Sequence, residues 1–179
     1  MYLHISRLDG GYLIRRKSRA IKLDSKNQYA YWRRGFAFDK LEKFELAQAD
    51  ITRSLDLRPN RAWLIEKRAS SYLKSKKYDL ALRDANRLVA EFPNSNGEET
   101  RALVWQAMKQ YDKALMDNNT FIAKAPLASP EVYSNRALLY EKLGMYDAAV
   151  CDLETVLKID PNYSDADEAL ARLKSIRKS

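Results

Sequence analysis

Cysteine and histidine are almost missing from this chain of 179 residues, which has one of each, Cys151 and His4. A single cysteine excludes an internal disulfide and fits a reducing compartment. One cysteine and one histidine, far apart, cannot supply a His/Cys zinc site. Nucleophile–base catalysis needs a histidine or an equivalent base beside the nucleophile, and His4 stands alone near the N-terminus. Glycine and proline are scarce as well, with five of each. Apart from Gly10-Gly11 the glycines are scattered, so no phosphate-cradling loop can be drawn. No apolar run approaches the roughly 18 residues that a membrane span requires. The opening stretch MYLHISRLDGGYLIRRKSR lacks the continuous apolar core and cleavage site of a secretory leader. These absences lead to the expectation of a soluble, cytoplasmic chain with no enzymatic activity, no cofactor, no metal and no membrane partner.

What is present points to helices. Apolar residues make up 46% of the chain, and Ala, Leu, Lys, Glu and Arg are abundant, a composition that suits a nearly all-helical fold. By size the chain is one cooperative unit. The net charge of +8 is unevenly placed: residues 1–27 carry +5, residues 28–61 +2, residues 62–94 +3, residues 95–127 zero and residues 128–179 −2. Such a gradient can steer an acidic partner to one end, or it can be no more than a solvated surface.

The most regular stretch is 135–163, NRALLYEKLGMYDAAVCDLETVLKIDPNY. Leu143-Gly144 divides it into two amphipathic halves and Pro161 ends the second, the pattern of a helical hairpin. Anchored on Tyr146, it places small residues at Ala137 and Ala149, where two helices would cross closely, with Tyr140, Leu153 and Val156 at the other apolar positions. The same offsets recur around Tyr111, Tyr78 and Phe44, so the four anchors lie 34, 33 and 35 residues apart. An arginine precedes the small residue each time, as Arg34, Arg68, Arg101 and Arg136. A period of this length means stacked two-helix units.

A repeat of this length, with its small–aromatic–alanine–proline pattern, resembles the tetratricopeptide repeat (TPR) family over roughly residues 27–163. The resemblance implies an all-α, right-handed α-solenoid of about four TPR helical hairpins. A truncated N-terminal hairpin would precede them and a C-terminal capping helix would follow. Repeats would span 28–61, 62–94, 95–127 and 128–162, with a partial hairpin in 1–27 and the cap in 163–179. It also implies a concave face formed largely by the first helix of each pair and used to hold peptides or partner proteins. One groove type in the family clamps a C-terminal carboxylate with lysine, asparagine and arginine. The corresponding positions here include Trp32, Phe36, Lys67 and Thr100, so that clamp is not expected.

Departures from the repeat carry the functional expectations. Tyr29, Trp32 and Phe36 share one face at helical spacing, and Trp63 occupies the position of Tyr29 one repeat later. Arg33, Lys40, Lys67 and Lys74 would border these aromatics. Aromatics beside cations suit a peptide with apolar anchors and flanking carboxylates. Tyr29, Trp32 and Phe36 could instead pack against the truncated hairpin. Two further readings stay open: RNA or single-stranded nucleic acid held by the basic aromatic N-terminal half, and a structural subunit that self-associates, as a homodimer, through its truncated end, where Leu3, Ile5, Leu8 and Ile14 lack cover. Elsewhere, residues 1–9 and 12–23 read as two short helices broken by Gly10-Gly11, with the second fitting the repeat only in a slipped register. The run Arg15-Arg16-Lys17-Ser18-Arg19 reads as a solvated face. Asn118 in place of a large apolar residue suggests a weaker or polar second helix in the third repeat. Ser129-Pro130-Glu131 marks a helix start, and Ala166, Ala169, Leu170 and Leu173 line one face of a final helix.

Overall fold

A computed structural model describes residues 7–125 and 129–176, with side chains from residue 10 onward. Among the described residues every regular element is an α-helix. In chain order they are α1 (Arg7–Leu23), α2 (Gln28–Lys40), α3 (Phe44–Leu57), α4 (Ala62–Lys74), α5 (Tyr78–Glu91), α6 (Gly97–Ala107), α7 (Tyr111–Lys124), α8 (Pro130–Lys142), α9 (Tyr146–Ile159) and α10 (Ala166–Ile176). They fall into two compact units, Met1–Gly97 and Glu98–Ser179.

Within each unit, helices pack mainly on their sequence neighbours. The small residues of the repeat sit where they must. Gly35, Ala47, Ala69, Ala81, Ala102, Ala114, Ala137 and Ala149 are all buried. A Cβ on Gly35 would lie 3.1 Å from the Ala47 carbonyl oxygen and from Asp50 Cβ, so a side chain there would push α2 off α3. The apolar core in the first unit gathers Ile51, Leu55, Leu64, Ile65 and Leu88. In the second unit, Val150, Leu153 and Val156 of α9 meet Ala166 and Leu173 of α10. The last helix therefore lays its expected apolar face on the final hairpin.

An ion pair with one geometry closes every hairpin. Arg34, Arg68, Arg101 and Arg136 on the leading helices donate to Asp50, Asp84, Asp117 and Asp152 on the trailing ones, always 16 residues on. In each, Nε reaches one carboxylate oxygen and Nη2 the other, at 2.7–2.8 Å. The Asp side chains are only 3–8% exposed. Two-point pairing is what lets a charge survive burial. Hydrogen bonding to Asp50 and Asp152 keeps the Arg34 and Arg136 guanidinium groups more firmly protonated than usual, against the effect of burial. Rings sandwich two of the guanidinium groups, Tyr31 and Phe38 around Arg34 and Tyr133 and Tyr140 around Arg136, 5.6–5.9 Å away.

The turns between paired helices share a second device. The residue two before each anchor is left-handed: Glu42 (φ 57°), Lys76 (φ 59°), Lys109 (φ 58°) and Gly144 (φ 73°). The next amide donates to a carbonyl five residues back, as from Lys77 to Tyr72 at 2.9 Å, which ends the helix and satisfies its last carbonyls. Only the fourth repeat uses glycine for this conformation.

Several expectations need correction. Gly10-Gly11 does not break the N-terminal region, and α1 runs through both. Gly10 is buried beside Leu41, whose methyl carbons lie 3.4 Å from where a Cβ would be. Packing along α2 outweighs a glycine cost of about 1 kcal/mol each. Nor is the register slipped. Arg34 Nη1 donates to Ser18 as Arg68 Nη1 donates to Thr52, each 16 residues back and 3.0 Å away. Counting 34 back from Phe44 places Gly10 at the anchor position. Asn118 puts a buried polar side chain on α7 without shortening it, since α7 has the same 14 residues as α3, α5 and α9. Ser129 precedes α8 as expected, but its hydroxyl serves Glu131, holding that carboxyl below the usual range, and caps no backbone amide. Leu3, His4, Ile5, Pro126 and the side chain of Leu8 lie outside the described residues.

Asp84→Ala should lower unfolding stability by about 3–5 kcal/mol, since it strands the most deeply set arginine, Arg68, beside a void; chemical denaturation measures this. Lys76→Gly should raise the melting point, adding up to about 1 kcal/mol by removing left-handed strain from a residue whose side chain is not tied into the fold. Gly144→Lys should do the reverse.

Candidate functional site

All eight residues singled out from the sequence lie on α2 and α4, in the first unit. The 34-residue offset sets Tyr29 level with Trp63, Arg33 with Lys67 and Lys40 with Lys74. The structure joins three of the four aromatics into one ladder. Tyr29 and Trp32 meet edge to face with centroids 5.2 Å apart, and Trp32 meets Trp63 the same way at 5.1 Å. These contacts, worth about 0.5–1.5 kcal/mol each beyond area burial, bridge the two leading helices. Tyr29 and Trp63 stay 51% and 41% exposed. Trp32 is half-buried and rests on the Ile51–Leu64 core. Phe36, half-buried, carries Lys40 at 5.6 Å from its ring.

The cations are less free than the sequence suggests. Lys74 is committed to Asp39 at 2.7 Å, an ion pair that ties α4 to α2 at the far end of the same face. Lys67 lies 3.6 Å from its neighbour Glu66. Arg33 spreads over Tyr29 and Trp32, 5.8 and 5.2 Å from the ring centres, and its Nε is buried with no partner. Lys17 of α1, not among the sequence candidates, sits 4.7 Å over Tyr29. Its signal was available: it stands 34 residues before the apolar Ile51, a cation where the repeat places a core residue. Packing against the N-terminal helix and exposure on the α2–α4 face therefore hold together for Tyr29.

A cleft of 650 Å3 continues the ladder beyond Trp63, walled by Arg61, Trp63 and Glu66 on one side and by Phe92, Pro93 and Asn96 on the other. Among the described residues no group of three or more His, Cys, Asp or Glu side chains could hold a metal ion. No helix among them is long and apolar enough to cross a membrane.

Comparison with known proteins agrees with this architecture. Residues 29–61, 66–95 and 130–163 each match the family described as Tetratricopeptide repeat, together more than half of the chain. The chain belongs to the tetratricopeptide repeat family. No curated protein matches its sequence. Among solved structures, it resembles MamA (41-end) from Desulfovibrio magneticus RS-1 at a TM-score of 0.77 and 16% identity, covering 87% of this chain and 88% of that one. A thermophilic TPR protein of Thermus thermophilus gives 0.72 at 18% identity over 92% and 90%. YrrB, a TPR protein with an unusual peptide-binding site, gives 0.70 at 19% over 87% and 80%. The fold is the all-α TPR solenoid fold. TPR proteins are in general non-enzymatic interaction modules, and membership supports a protein–protein interaction role here.

The two tryptophans of the ladder should separate cleanly. Trp32→Ala should cost about 3–5 kcal/mol of stability because its ring lies on the core. The more exposed Trp63→Ala should cost less than about half of that, read from paired thermal melts.

Proposed function

We propose that this chain is an adaptor that holds a peptide or a partner segment in the groove lined by α2 and α4. The observation that carries this reading is the exposed ladder Tyr29–Trp32–Trp63, which crosses from one leading helix to the next. A chain in water gains nothing from leaving large rings at its surface, whereas a ligand's apolar side chains bury against them. Arg33, Lys40 and Lys67 flank the rings and favour carboxylates beside those apolar anchors. Lys74 serves the same face by holding Asp39, so its role is to set the spacing of α2 and α4. Lys17 extends the basic border on the N-terminal side.

Nucleic acid fits less well. Base stacking needs free ring faces, and the Tyr29 ring already carries Lys17 and Arg33. Ligand contacts are left to ring edges and the exposed flank of Trp63, which suits aliphatic or aromatic side chains.

A library of acidic twelve-residue peptides with leucine or phenylalanine anchors, titrated against tryptophan fluorescence, tests the proposal. The best binder should lose at least tenfold in affinity on Trp63→Ala, measured at a temperature where the slightly less stable variant is still fully folded. Equal binding by wild type and variant, or displacement by homopolymeric RNA at moderate salt, would sink it.

A further inference from the structure

The register of α1 opens a second surface. The Ser18–Arg34 hydrogen bond copies Thr52–Arg68, so α1 stands as the trailing helix of a hairpin, one repeat before α3. Each later trailing helix receives its own leading helix on a face centred on the buried aspartate. In α3 that face is Ala47, Asp50, Ile51 and Ser54, of which Ala47, Asp50 and Ile51 crowd Gly35 of α2 and Ser54 bonds Gln28. Shifted by 34 positions, the face on α1 is Leu13, Arg16, Lys17 and Ala20. Leu13 and Ala20 are only half-buried there, and Arg16 is exposed.

The charge at the centre of this face is reversed. Where four trailing helices present Asp50, Asp84, Asp117 and Asp152, α1 presents Arg16. No described carboxylate pairs with Arg16, nor with its exposed neighbours Arg15 and Arg19, although Arg34 and ten other cations make ion pairs. We propose that α1 docks an acidic amphipathic helix of another protein, which completes the hairpin in trans by placing a carboxylate on Arg16 where this chain's own leading helices carry arginine. Charge complementarity selects the occupant. The leading helices α2, α4, α6 and α8 bring Arg34, Arg68, Arg101 and Arg136 to that point and would meet Arg16 as a like charge, so a second copy of the chain is disfavoured by the device that closes each hairpin. Leu13 and Ala20 give the incoming helix a narrow apolar seat, and Arg15 and Arg19 border it with further positive charge.

A charge-swap experiment tests the proposal on the full chain. The probe is a hydrocarbon-stapled peptide with the sequence of α8 and its preceding serine, residues 129–142, made both as it stands and with Arg136→Glu. The glutamate peptide should bind at least tenfold more tightly than the arginine peptide by fluorescence anisotropy. Arg16→Asp in the protein should invert that preference, and Trp63→Ala should leave both affinities unchanged, which separates this surface from the α2–α4 groove. Equal binding of the two peptides, no binding of either at millimolar concentration, or a chain that is already dimeric by light scattering with Arg16→Asp restoring the monomer would each overturn it.

Discussion

A buried guanidinium–carboxylate fork fixes how each hairpin closes, and the rest of the architecture inherits its geometry. Taking a carboxylate to a few per cent exposure costs several kcal/mol unless both oxygens are satisfied. Arginine meets that demand because its two nitrogens match the two oxygens in one plane. Either partner alone would be worse than neither, so the two residues recur together, 16 apart, in all four full repeats. The third nitrogen adds a link. Through Ser18, Thr52 and Asn119 it ties Arg34, Arg68 and Arg136 to the trailing helix before. Closing a hairpin and seating it on its predecessor within a unit are thus parts of one hydrogen-bonded arrangement, as expected of an array whose stability lies in nearest-neighbour contacts.

That arrangement also sorts the charges. Cations at repeat positions are neutralised by aspartates and leave no surplus. The surplus lies in the first three segments, +5 over residues 1–27, +2 over 28–61 and +3 over 62–94, and is densest along α1. Some of it is fixed by rings, with Lys17 and Arg33 around Tyr29 and Lys40 on Phe36. Cation–ring contacts hold a charge in place without cancelling it, so the aromatic ladder and the positive field of the N-terminal part belong to one surface. Screening confines that field to about 8–10 Å at physiological ionic strength. It can select an acidic segment at contact range but contributes little to distant steering.

The repeat was legible because its positions are set by packing, which writes itself into the sequence as period and residue size. The small residues, the anchors and the capping face of α10 could all be read that way. Half of the ion pair was visible as an arginine before each small residue, while its aspartate, 16 residues on, hid among many acids. Gly10-Gly11 misled for the opposite reason. Local propensity argues for a break, yet contact along α2 and beside Leu41 decides the outcome. Asn118 shows that a buried polar side chain need not shorten a helix, whose length in such a stack follows from its neighbours. At the candidate site the stripe of aromatics was readable, but the fate of the cations was not. Whether Lys74 faces a ligand or Asp39 depends on the separation of α2 and α4, which no periodicity encodes.

A repeat fold that explains nearly every regular position leaves function to its irregular ones, and these can be ranked by what the fold demands at each. Replacing a core residue with lysine at position 17, or placing an arginine where every other trailing helix has a buried aspartate, removes a packing or pairing interaction that the scaffold uses elsewhere. Exposed tryptophan at position 63 touches Trp32 yet keeps much apolar surface in water. Such choices are stable only because α1 has one packed side and the α2–α4 face remains open. The same openness leaves the rings and the unpaired guanidinium groups accessible, so the positions least useful to folding are also those a partner can reach.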